Sequence, residues 1–271
     1  MTMRGFVATA LIAVVMSMAV GCTAQTGSSV LAGPLGALFD PLLFETPAEV
    51  ANQMFDMSNP DKRRRAVELI SAANWGGAEE YVRAYRVLVM TDEDDTVRSA
   101  CLRALGRHGS PEDVPRIVKF LAADQETFVR WEAAKALQKI HNPAAIDPLT
   151  RTIKQDRDAD VRMAAARALA QYAKPDVVQS LVGVLNDHDF GVAHTAGQSL
   201  ATLTGQDFGM DASKWFEWSQ QHAADLFGGR QEYTWQPYEK PRGILDFWKE
   251  PDPVRPRRPT GLEDARATPR L

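Results

Sequence analysis

Few residues of this chain are of a type and spacing that does chemistry. The histidines are His108, His141, His188, His194 and His222, and only Asp187-His188-Asp189 with His194 forms a local cluster of metal-ligating types. A metal would need those side chains to converge on one point. Acids in a short loop before a helix already have a use as caps, so no metal site and no other cofactor is expected. No glycine-rich phosphate loop follows a strand pattern, and no Gly-x-Ser-x-Gly elbow occurs. Cys101 stands in a column otherwise held by Ala133, Ala165 and Ala196, which reads as a small buried apolar position and not a nucleophile. No catalytic residue is assigned, and the chain is expected not to be an enzyme.

What remains is a surface, and repeats build it. Val97 to Leu105, Val129 to Leu137 and Val161 to Leu169 align column by column, each starting 32 residues after the last, and Val192 to Leu200 follows 31 later. Two helical patterns per period predict an all-α, stacked α-solenoid. The first helix of each pair starts at Pro111, Pro143 and Pro175, where a missing N–H costs nothing. Its apolar columns Val114/Ile146/Val178, Ile117/Leu149/Leu181 and Leu121/Ile153/Leu185 share one face. Pro115 and Pro148 are expected to bend these helices slightly. The linking acids Asp124, Asp156, Asp160, Asp187 and Asp189 are read as caps of the second helix. That helix buries its Val, small and Leu columns. Two and six residues after each Val lie Ser99 and Arg103, Trp131 and Lys135, Met163 and Arg167, His194 and Gln198, one turn apart and away from the core.

The run Asp-x-x-Val-Arg-x-x-Ala-Ala-x-Ala-Leu, clearest at Asp158 to Leu169, resembles HEAT-like repeats of the phycobilisome-lyase type. The resemblance covers about residues 46–205, roughly five helix pairs, and implies that the second helices line a concave face. The eight stripe residues would then cross a groove, where a Trp and a Met beside three cations suit an acidic, extended or helical protein segment. It also implies that Arg98, Arg130 and Arg162 pair with acids of adjacent turns. Such pairs contribute about 0–1 kcal/mol when exposed. The ladder stops at Ala193. Related HEAT-like hydroxylases bind iron through His-Glu dipeptides, which this chain lacks. No particular residue supports the bilin-lyase branch.

The first residues carry a different signal. Arg4, an apolar or small run from Phe6 to Val20 and then Gly21-Cys22 describe a secretory signal, too short for a spanning helix. Ala19-Val20-Gly21-Cys22 resembles the bacterial lipobox, with Ala19 in place of the usual Leu. This implies a signal peptide over 1–21 and a lipid on Cys22; an ordinary cleaved signal and a short uncleaved anchor are the alternatives. With Cys22 acylated, Cys101 is the only thiol left, so no intrachain disulfide is available.

Residues 22–45 read as the lipidated tether and 46–205 as the solenoid. Residues 206–250 read as a capping helix and aromatic segment that hold four of the six tryptophans. Residues 251–271, with five prolines and five arginines, are too poor in apolar surface to order and are expected to be disordered. A net charge of −4 gives no footprint for nucleic acid. The expectation is a lipid-anchored scaffold for protein–protein interaction at the bacterial cell envelope, periplasmic or outer-membrane-associated. A cofactor-handling enzyme of the bilin-lyase kind and a cell-wall-binding lipoprotein are the alternatives, the latter if three or more C-terminal rings share one open patch.

Overall fold

A computed structural model describes residues 46–235 and 256–262. Cys22, the signal and the tether lie outside the described residues. Among the described residues there are eleven α-helices: α1 (Pro47–Gln53), α2 (Pro60–Ala72), α3 (Glu79–Thr91), α4 (Asp95–His108), α5 (Val114–Ala123), α6 (Thr127–Lys139), α7 (Ile146–Gln155), α8 (Ala159–Leu169), α9 (Pro175–Val182), α10 (Phe190–Thr204) and α11 (Ala212–Gln221). They stack as five pairs with α11 at the end, an α-solenoid. Thr46 opens the stack with a capping box: its N–H donates to Glu49, whose own N–H donates to Thr46 Oγ1.

The sequence columns become layers. Val97, Val129, Val161 and Val192 are fully buried in consecutive second helices, as are Leu105, Leu137, Leu169 and Leu200. In α2 the Val position is the exposed Lys62, while Ala66 and Ile70 keep the small and Leu columns buried. Second helices pack more extensively on one another than first helices do. The small column permits this approach. At Gly106 the approach is tight, since a Cβ there would lie 2.9 Å from the Ala136 Cα of α6. Gly106→Ala improves helix propensity by about 1 kcal/mol in an exposed helix. Here it is expected to lower stability by about 1–3 kcal/mol, because backbone must move. A urea midpoint that rises instead would show that the layers separate freely.

Two local expectations change. Pro115 and Pro148 do not bend a continuous helix. Each falls in the first turn of α5 or α7, and the preceding residues Pro111–Asp113 and Pro143–Ala145 form a separate 3-10 turn. The physical reason is the missing proline N–H, which ends the backward hydrogen-bond run. The linking acids also divide their labour. Asp94, Asp158 and Asp189 cap α4, α8 and α10 through their side chains. Asp124, Asp156 and Asp187 turn instead to the arginine ladder, and α6 has no side-chain cap.

That ladder has four rungs, one more than the sequence suggested. Arg63, Arg98, Arg130 and Arg162 each donate Nε and Nη2 to the two carboxylate oxygens of Asp92, Asp124, Asp156 and Asp187 in the next layer, at 2.7–3.3 Å. Nη1 donates to main-chain carbonyls of the arginine's own loop, as in Arg130 to Asp124 and Gln125 at 3.1 and 3.0 Å. Each aspartate also accepts the N–H two residues on. These pairs are largely buried, so the surface value of about 0–1 kcal/mol does not apply to them.

The C-terminal segment does more than seal the last layer. Trp215 is fully buried and donates Nε1–H to the Gly209 carbonyl at 2.9 Å, with Phe208 and Trp218 packed around it. The chain then runs back along the edge where second helices end. Gln231 donates its N–H to Thr202 O, Tyr233 Oη–H donates to Arg167 O, and Thr260 N–H donates to Lys139 O. These are carbonyls of helix C-terminal turns, where intrahelical partners run out. Residues 256–262, expected to be disordered, are therefore held as a strap. Trp235 and Arg257 pair through two main-chain hydrogen bonds of 2.9 Å, His141 N–H returns to Thr260 O at 2.7 Å, and Pro259 is buried. Main-chain bonds to carbonyls already fixed by the solenoid order a segment that composition alone could not.

Candidate functional site

The stripe on the second helices divides into two bands. Toward the helix N-termini lie Trp131, Met163 and His194, joined by two exposed rings. Phe128 is 47% exposed and stacks on Trp131 at 5.4 Å; Phe190 is 69% exposed and lies 5.7 Å from His194, nearly parallel. Met163 Sδ packs against the start of α10, where a Cβ on Gly191 would come within 2.7 Å of it. Ser99, expected in this band, is buried at 1% exposure with its Oγ unpaired. A side chain that short is covered by its neighbours, whereas larger ones in the same column reach out.

Toward the helix C-termini the band is cationic. Lys135 sits 3.7 Å above the Trp131 ring, a cation–π contact. Arg103 Nε donates to Glu132 at 3.0 Å and its Nη1 to Glu68 at 3.4 Å, while Lys135 Nζ stands 3.8 Å from Glu132. One turn further, in a column the sequence reading did not use, come Arg107 and Lys139. Arg107 Nη1 and His108 Nε2 meet the Ser71 carbonyl at 2.7 and 2.8 Å. Lys139 lies 4.9 Å from the centre of the Trp235 ring. Arg167 is exposed, and Gln198 and His194 touch through their Nε2 atoms at 3.1 Å.

Electrostatics distinguishes this band from a solvated mixed face. Burial, with Lys135, Arg107 and Arg103 nearby, pushes the Lys139 ammonium down to about 8, against the opposing pull of Glu132. Lys135 is lowered too, chiefly by burial. Five cations (Arg103, Arg107, Lys135, Lys139, Arg167) thus share this band with the carboxylates of Glu68 and Glu132. The offset +10 from each Val was legible in the sequence and would have found Arg107 and Lys139. Nothing in the sequence marked Trp235 as a partner for Lys139.

The cluster suggested by the sequence does not converge as a ligand set. Asp187 is engaged by Arg162, and Asp189 caps α10. His188 is exposed beside Asp187, while His194 stacks on Phe190. Cys101 is fully buried, and burial pushes its thiol far up, as an inert apolar position requires. Of the C-terminal rings, Trp215 and Tyr233 are buried and Trp218 and Phe227 pack against the core, while Phe216 is 57% exposed. These rings form no open shelf; Tyr238, Phe247 and Trp248 lie outside the described residues.

The profile of a family described as HEAT repeats matches residues 48–138 and 117–201. No curated protein matches the chain. Among solved structures, the complex of CpcE and CpcF of phycocyanin lyase from Nostoc sp. PCC7120 is 20% identical, with a TM-score of 0.45 over 56% of this chain and 96% of that one. A designed armadillo repeat protein in complex with the peptide (KR)4 is 18% identical, with a TM-score of 0.48 over 66% of this chain and 93% of that one. An X-ray structure of YIBA_ECOLI is 20% identical, with a TM-score of 0.42 over 66% of this chain and 77% of that one.

Proposed function

The chain belongs to the HEAT-repeat family, and from that premise we propose that it is a non-enzymatic scaffold, lipid-anchored at a bacterial cell envelope, whose second-helix face binds an acidic, partly apolar segment of a partner protein. The observation that carries the reading is the pairing of the two bands. Phe128, Trp131, Met163 and Phe190 offer apolar contact beside a band of five cations, in which burial first and the neighbouring cations second lower the Lys139 ammonium. A segment with acids on one edge and apolar anchors on the other relieves both the exposed rings and the excess charge. Fold alone assigns no such task, because helical solenoids serve many.

Anchoring rests on Ala19 to Cys22, and the address at the periplasm or outer membrane follows from it. Cells grown with an alkyne-bearing fatty acid are expected to label the full chain and not Cys22→Ala; equal labelling of both would remove the anchor from the reading. For the face, crosslinking in intact cells followed by mass spectrometry compares wild type with Trp131→Ala/Lys135→Ala. Lys119→Ala/Arg151→Ala, on exposed sites of first helices, is the control. The recovered partner is expected to fall about tenfold or more in the first variant only, with acid-rich crosslinked peptides and weaker capture at high salt. An unchanged partner set would sink the second-helix face as the binding surface.

A further inference from the structure

The strap and the edge it crosses border an open cleft of about 890 Å3, separate from the two bands. Its walls include His141, Tyr172 and Lys174 from the solenoid, and Arg230, Tyr233 and Leu262 from the C-terminal segment. This volume suits a small organic molecule, and the mix of apolar walls with a few convergent polar groups is the usual make-up of such sites.

The polar groups are fixed in advance. Gln171 is 1% exposed, and its amide Nε2 donates to the carbonyls of Leu137 and Ala168 at 2.9 and 3.0 Å. Both amide hydrogens being spent, Gln171 Oε1 must act as an acceptor. It lies 3.1 Å from His141 Nδ1, so that nitrogen carries the hydrogen. The neutral His141 ring then has its lone pair on Nε2. Burial lowers the His141 imidazolium below its usual range, which keeps the ring neutral at pH 7. Tyr172 stacks on it at 4.8 Å and is held in turn by its hydroxyl, which donates to Asn142 O at 3.0 Å.

Charge chooses the ligand class. Lys174 and Arg230 are exposed at the cleft, and among the described residues neither has a carboxylate partner. Among the described residues, Arg230 Nη2 reaches the Gln171 carbonyl, at 3.5 Å. The remaining charges at the lining, Arg258 and Glu232, pair with each other.

We propose that this cleft binds a small aromatic carboxylate: the carboxylate meets Lys174 and Arg230, the flat body lies against the apolar walls, and an N–H or O–H of the ligand donates to His141 Nε2. Because the strap forms one wall, occupancy also fastens residues 256–262 to the solenoid. The site is independent of partner capture by the second helices.

The full chain is titrated calorimetrically with indole-3-acetate as probe, alongside the uncharged indole-3-acetamide and 1-methylindole-3-acetate, which lacks the N–H. One-to-one saturable binding of indole-3-acetate is expected, weaker by about tenfold or more for each analogue, as expected for a lost charge-assisted or buried hydrogen bond. The Lys174→Gln/Arg230→Gln variant is expected to bind it about tenfold or more weakly while melting like wild type, since both side chains are exposed. Slower amide exchange at His141 and Thr260 on binding would place the probe under the strap. Absence of saturable binding at millimolar probe, equal affinity for the amide, or an unaffected double variant would overturn the proposal.

Discussion

Arg130→Ala is expected to lower the unfolding free energy by about 3–5 kcal/mol, the range for breaking a buried ion pair from one side. Arg130 and Asp156 are 7% and 8% exposed, so the carboxylate left behind is largely cut off from water. The variant also strips the carbonyls of Asp124 and Gln125 of their shared donor. Arg64, paired with Asp61 and Glu68 at roughly one-third exposure, is the internal contrast. Arg64→Ala is expected to cost under about 1 kcal/mol. Replacing both members, Arg130→Met with Asp156→Leu, is expected to cost less than Arg130→Ala alone, because no orphaned charge remains. Urea unfolding followed by circular dichroism measures all three, and equal losses for Arg64→Ala and Arg130→Ala would show that the ladder is peripheral.

The Asp187 rung also sets an acid limit. Burial pushes the Asp187 carboxyl up, but the Asp189 N–H and the Arg162 guanidinium outweigh it and hold it below its usual value of 3.8. A depressed folded-state value means that the carboxylate form stabilises the fold above the unfolded value. That contribution is lost as pH falls through the lower folded value. Stability should therefore hold through mildly acidic pH and decline only below about pH 4. A loss between pH 5 and 7 would point to other groups.

Much of the fold was legible because one layer repeats. A column such as Val97/Val129/Val161 states its own burial several times over, and Arg98/Arg130/Arg162 declares a ladder in the same way. What a column does not state is depth. The arginines read as surface pairs, yet neighbouring layers close over them, and the Arg63 rung went unnoticed because Lys62 had broken the motif beside it. Ser99 shared a column with Trp131 and was placed with it, although side-chain length decides which of the two reaches solvent. The strap was least legible. Its order comes from main-chain bonds to Lys139 O at the end of α6, to His141 N–H and to Trp235, and main-chain partners leave no mark on the composition of the segment that finds them. The cleft at His141 follows from that strap, so it too lay beyond the sequence.

The end of the stack should be the second most sensitive place. A solenoid layer is stabilised by its neighbours, and the last pair, α9 and α10, has one only on one side. Trp215 of α11 covers the other: it is fully buried, packs edge-on to Phe208 at 4.9 Å, and ties the preceding loop through Gly209 O. The same loop is fitted closely to α10, since a Cβ on Gly197 would meet Gly209 O at 2.5 Å. Trp215→Ala is expected to cost about 3–5 kcal/mol, from lost burial together with the cavity left behind. Trp215→Phe, which keeps most of the volume and drops the N–H donor, should recover the larger part of that loss. Because repeats couple mainly to adjacent repeats, the damage should be local. Amide exchange is expected to accelerate through Pro175–Val182 and Phe190–Thr204 and to stay slow in Asp95–His108. Uniform acceleration across all five pairs would mean that the stack unfolds as one cooperative body, with α11 holding its whole length and not just its final layer.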